Sequence, residues 1–179
     1  MKRILASFLL LQVSLLSAAD AKNLFFNGNF AEPLVNGTIP GWTTKGSIIT
    51  DGSSKALRLS KANGRVPIAQ QVVAVPQGIK KVKLSLMVRE GSTAGAKYEI
   101  DLHALDVDKK SLTPDGKPGT LANLSQALGS AISKPSKGWK SIRFGNKVPS
   151  NAAFISLMLF ATGDDGEVDF KDVVCEFSE

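Results

Sequence analysis

Short runs of alternating apolar and polar residues, separated by Gly, Asn, Asp and Pro, fill most of this chain. Ala56-Leu57-Arg58-Leu59-Ser60 alternates with a period of two, and Gln70 to Val75 forms a second run closed by Pro76-Gln77-Gly78. Val82, Leu84, Leu86 and Val88 share one face of the next run, against Lys83, Ser85, Met87 and Arg89 on the other. Tyr98, Ile100, Leu102 and Ala104 alternate with Glu99, Asp101 and His103. Ile142 and Phe144 oppose Trp139, Ser141 and Arg143, and Phe154 to Ala161 is apolar on both faces, as a central strand requires. Val168 to Phe177 is the last run. A period of two places alternate side chains on opposite faces of a strand. Many such strands with regular turn signals, and no helical periodicity between them, predict an all-β antiparallel sandwich.

Asp106 to Lys137 breaks the pattern. It is rich in Ser, Gly, Pro and Lys, and a weak apolar pattern from Leu121 to Leu128 allows at most one short helix. A long insertion of this kind is a functional loop or a mobile one. The N-terminus has a different character: Lys2 and Arg3 precede an apolar run from Ile4 to Leu16, followed by small residues around Ala19-Asp20-Ala21. That order predicts a secretory signal peptide over residues 1–21 and a secreted or periplasmic domain over residues 22–179. The apolar run is shorter than the roughly 20 residues a membrane span needs, and no second one is long enough. A domain of about 158 residues buries enough surface to fold without disulfides. Cys175 is the only cysteine and alternates with Val173, which predicts a buried, inert thiol.

Charge removes one class of function. Without Lys2 and Arg3, and with Asp20 kept, the chain has 20 basic residues against 16 acidic ones, or +4. These charges are scattered, whereas nucleic-acid binders cluster theirs with aromatics between.

Several segments together resemble a known pattern. Asn23-Leu24-Phe25-Phe26-Asn27-Gly28-Asn29-Phe30 followed by Gly41-Trp42 resembles the opening of the galactose-binding-like jelly rolls, among them carbohydrate-binding modules of families four, nine and twenty-two. The likeness continues through Lys55-Ala56-Leu57-Arg58-Leu59, Gln70-Gln71-Val72-Val73-Ala74-Val75-Pro76 and Gly138-Trp139-Lys140-Ser141-Ile142-Arg143-Phe144. It includes Val148-Pro149 and closes at Val168-Asp169-Phe170-Lys171-Asp172-Val173-Val174. The resemblance implies a jelly-roll sandwich, glycan recognition on a concave sheet face, and a structural calcium ion between the first and last strands. Glu32, Asp51 and Asp172 are its candidate ligands, since calcium takes several oxygens. Two departures bear on them: Ala31 stands where the family has Glu, and Lys171 stands where it has Asp.

Sugar recognition needs flat apolar faces and a few aimed polar groups. Trp42, at a turn, is expected to pack in the core. Parity puts Trp139, Arg143, Arg89, Asp101 and His103 on outward faces, with Met87 and Met158 or Phe160 nearby. If their strands share a sheet, these residues line a shallow cleft; otherwise Trp139 caps the sandwich edge. One histidine cannot build a two- or three-histidine metal site, and no Gly-x-Ser-x-Gly occurs. Asp101, Asp106 and Asp108 could be read as paired glycosidase carboxylates, but Asp106 to Lys110 reads better as a polar turn. Asn36-Gly37-Thr38 and Asn123-Leu124-Ser125 match the glycosylation pattern. The expectation is a non-catalytic glycan-binding protein; the alternative is a structural or adhesive protein of the cell envelope that holds a protein partner.

Overall fold

The computed structural model describes residues 23–120 and 127–179. The expected signal peptide, residues 1–21, lies outside these, as does most of the short helix considered between Leu121 and Leu128.

Among the described residues eleven strands form two antiparallel sheets. They are β1 (Thr43–Thr44), β2 (Ser47–Asp51), β3 (Ser54–Lys61), β4 (Ile68–Ala74), β5 (Lys81–Glu90) and β6 (Ala96–Leu105). After these come β7 (Ser111–Leu112), β8 (Gly129–Ser133), β9 (Lys140–Lys147), β10 (Phe154–Gly163) and β11 (Gly166–Ser178). One sheet has the order β1-β4-β10-β6-β7, with β8 also pairing β6; the other runs β2-β3-β11-β5-β9. Every run expected from alternation lies in a strand of this sandwich. β10 is central, between β4 and β6, which explains why it is apolar on both faces. The insertion was expected as a loop with at most a helix. Its described part instead supplies β7 and β8, both added to the edge of β6.

The core lies between the sheets. Leu57 and Leu59 of β3, Val82 to Val88 of β5 and Val168 and Phe170 of β11 meet Ile100 and Leu102 of β6 and Ile155, Leu157 and Leu159 of β10. Along β11 the inward positions change parity, from 168 and 170 to 173 and 175. A β-bulge between Lys171 and Val174, with Asp172 at φ 52°, absorbs the extra residue and returns Val173 and Cys175 to the core. Cys175 is buried and free, as expected, and burial pushes its thiol up to about 12.

The N-terminal segment docks on this bulge. Leu24 N donates to Cys175 O (3.1 Å) and Val173 N to Gly28 O (2.9 Å). A Cβ at position 28 would sit 2.0 Å from Val173 O, so only glycine fits that approach. Phe25 and Phe30 pack on Trp42 with ring centroids 6.3 and 5.3 Å away, and the Trp42 indole donates to Asn27 O (3.3 Å). Trp42 is the core residue it was expected to be.

Candidate functional site

Each sheet has an outward face, and the expected cleft residues divide between the two. Arg89 on β5, Arg143 on β9 and Trp139 just before β9 belong to the five-stranded sheet. Asp101 and His103 belong to β6 in the six-stranded sheet, on the far side of the sandwich. A single cleft lined by all five is therefore corrected. Parity identified outward positions but carried no information on which sheet each strand joins.

On the five-stranded sheet, the upper outward face is a closed charge network. Asp169 is completely buried and accepts from Arg58 Nε (2.7 Å), Arg58 Nη2 (3.0 Å) and Arg89 Nε (3.1 Å). Asp51 accepts from Arg89 Nη1 (2.8 Å), Lys171 Nζ (2.7 Å) and the Trp139 indole (2.9 Å). The Lys171 hydrogen bond leads in holding the Asp51 carboxyl below its ordinary range. Arg89 and Lys171 lie 4.4 and 4.3 Å from the Trp139 ring centroid, so two cations already occupy the only outward-facing tryptophan. Arg143 is four residues further along the strand, roughly 13 Å away, and takes no part.

The calcium set does not fit. Asp51 has given its oxygens to two cations and an indole, because Lys171 stands where the resemblance expects an acid. Glu32 and Asp172 are exposed, and no group of three potential metal-binding side chains gathers among the described residues. The Asp106 turn is as expected: Asp106 Oδ1 accepts from Asp108 N (2.9 Å) and Lys110 N (2.8 Å).

The outward face of the six-stranded sheet is arranged in rows set by strand register. Ile68, Phe160, Glu99 and Ile132 are successive partners across β4, β10, β6 and β8. Gln70, Met158, Asp101 and Ser130 form the next row, with Thr43 beside Gln70. Val72, Ser156 and His103 form the third. The first row is open to solvent, with Ile68 and Ile132 exposed and Phe160 and Glu99 partly so. In the rows behind, Gln70 Nε2 donates to Ser156 Oγ (2.9 Å), while Asp101 Oδ1 and both ring nitrogens of His103 are buried without a partner. Burial, with Glu99 beside it, pushes the Asp101 carboxyl up to about 7; burial alone lowers His103. Sequence reading named Asp101, His103, Met158 and Phe160 but missed Ile68, Gln70, Glu99 and Ile132. The parity was legible at Gln70 and Glu99; Ile68 lies outside the expected run, Ile132 lies in the segment expected as a loop, and the register joining all four was not legible.

This chain superposes on TmCBM61, solved in complex with β-1,4-galactotriose, at a TM-score of 0.57, covering 88% of this chain and 99% of that one at 12% identity. A CBM4 structure gives 0.56, with 86% and 99% covered at 14% identity. The CBM22-1 xylan-binding domain of Paenibacillus barcinonensis Xyn10C gives 0.54, with 78% and 87% covered at 12%. The fold is that of the carbohydrate-binding-module jelly rolls. The jelly roll also superposes on the enzymatically active domain of bacteriophage CBA120 tailspike protein 4 at 0.63 and 12% identity, where it spans 87% of this chain but only 21% of the tailspike. No protein-family model and no curated protein matches the sequence. Among the described residues no helix is long and apolar enough to cross a membrane.

Proposed function

We propose that this chain is an exported, non-catalytic glycan-binding protein that holds a sugar chain along the outward face of its six-stranded sheet. The observation that carries the reading is the open row Ile68–Phe160–Glu99–Ile132. Three interstrand steps of about 4.8 Å make it roughly 14 Å long, enough for a short oligosaccharide lying across the strands. Phe160 offers a ring face for stacking, Ile68 and Ile132 extend the apolar floor, and Glu99 accepts from sugar hydroxyls. Gln70 and Ser130 in the next row supply further donors and acceptors. Few polar groups on an apolar floor are what ligand sites generally show. The likeness to carbohydrate-binding modules, which covers 86–88% of this chain and 99% of theirs, supports the assignment, and the Lys2-Arg3 start with its apolar run supports export. Calcium has no part in this reading.

Absence of catalysis fits the carboxylates on this face. Glu99 and Asp101 are two residues apart on one strand and interact with each other. A glycosidase needs its pair on either side of the scissile bond.

The test is calorimetric binding of neutral oligosaccharides chosen from a glycan array, repeated for Phe160→Ala. Stacking removes about 60 Å² of apolar surface from water, worth roughly 1.5 kcal/mol, so affinity should fall about tenfold with the melting temperature little changed. Trp139→Ala should bind as the native protein does. A folded protein that binds no glycan overturns the reading and turns attention to a protein partner in the cell envelope. Loss on Trp139→Ala without loss on Phe160→Ala would return the site to the opposite face.

A further inference from the structure

The lower half of the five-stranded sheet's outward face is chemically unlike its upper half. In the upper half Arg58, Arg89 and Lys171 each reach a carboxylate within 2.8 Å. In the lower half Lys81 and Lys83 of β5 and Arg143 and Lys147 of β9 line one cleft of about 840 Å³. None of the four makes an ion pair among the described residues. Lys81 and Lys147 are direct cross-strand partners, an arrangement of like charges that weakens a sheet. Lys83 pairs with Gly145, which has no side chain to fill the space, and Arg143 pairs with Ser85. Glu176, the partner of Lys83 on β11, is the single carboxylate in the cleft. The fold gains nothing from four uncompensated cations set side by side, but an anion placed between them does.

We propose that this cleft is a second binding surface that takes an acidic polysaccharide, one whose sugars carry carboxylates. It lies on the side of the sandwich opposite the Phe160 row and does not depend on that row. Two features select a sugar polymer over a nucleic acid. Glu176 among the cations accepts from sugar hydroxyls, which a polyuronate carries beside every carboxylate and a DNA backbone lacks between its phosphates. The one aromatic lining the cleft, Phe144, packs against the core instead of offering a free face to bases. The cations would engage carboxylates spaced along the chain, giving charge-assisted hydrogen bonds that added salt weakens.

The experiment measures binding of the protein to polygalacturonate, with neutral galactan and an oligothymidylate as comparators. Polygalacturonate should bind, with affinity falling as salt rises. The double variant Lys83→Ser/Arg143→Ser should bind it at least tenfold more weakly with unchanged circular dichroism and melting. Phe160→Ala should keep full polygalacturonate affinity, which separates this surface from the neutral-glycan row. The proposal is overturned if polygalacturonate does not bind, if the double variant binds as the native protein does, or if the oligothymidylate binds as tightly as the uronate.

Discussion

Asp169→Ala is expected to lower the unfolding free energy by about 3 kcal/mol, read as a lower urea midpoint at unchanged slope. The side chain has no exposure and accepts three hydrogen bonds from two arginines on the flanking strands β3 and β5. Removing one partner of a buried ion pair leaves the remaining charge uncompensated, and typical losses are about 3–5 kcal/mol. Here the lower end applies. Arg58 keeps Glu167 at 3.2 Å, Arg89 keeps Asp51 at 2.8 Å, and both guanidinium groups retain about a fifth of their exposure, so water relieves part of the cost. The exposed Lys110–Asp108 pair sets the contrast: Lys110→Ala should change stability by at most about 0.5 kcal/mol. Equal effects at the two positions would mean that the network's burial does not matter.

That network shows where sequence reading stops. The alternation on β3, β5 and β6 told which residues face the core, because burial of one face of a strand forces a period of two. It could not tell that Arg58 meets Asp169, 111 residues away, since that contact exists only through the β3–β11 register. Even the bulge is visible in hindsight: inward residues at 168, 170, 173 and 175 cannot share a face unless one residue is inserted. Asp172, at positive φ, is that residue.

The site was half legible for the same reason. Asp101, His103 and Phe160 were correctly read as outward, yet they share a cleft with Trp139 and Arg89 only if their strands share a sheet, and parity does not say whether they do. In a jelly roll the chain crosses between sheets, so β5 and β6, neighbours along the chain, lie on opposite layers. The short strands β1, β2, β7 and β8 at the sheet edges were unmarked as well. Runs of two to five residues carry too little alternation to stand out from loop.

Asp101 and His103 should give the protein a pH profile whose shape, more than its size, identifies them. In the unfolded chain Asp101 titrates near 3.8 and His103 near 6.5. Folding raises the first to about 7 and lowers the second. The stability from Asp101 is therefore full below 3.8 and lost as pH rises through about 7. The stability from His103 is present above 6.5 and lost as pH falls through its lowered folded value. Near pH 6 the folded protein keeps a proton on Asp101 where the unfolded chain does not, while the unfolded chain holds the proton on His103 more tightly than the folded one does. The two slopes therefore oppose each other, and each hides part of the other. The variants uncover what the pair conceals. Asp101→Asn leaves the histidine alone, and stability should climb with pH up to 6.5. His103→Gln leaves the acid alone, and stability should fall across the whole interval from about 4 to 7. The fall amounts to up to about 4 kcal/mol, on the order of 10 °C in melting temperature. Scanning calorimetry at four pH values on the three proteins decides the matter, and parallel profiles would rule out opposing buried titrations. The same proton bears on binding. Below about pH 7 the buried Asp101 carboxyl is neutral and leaves the partly exposed Glu99 as the charged acceptor of this row; above it a second charge sits directly behind the first.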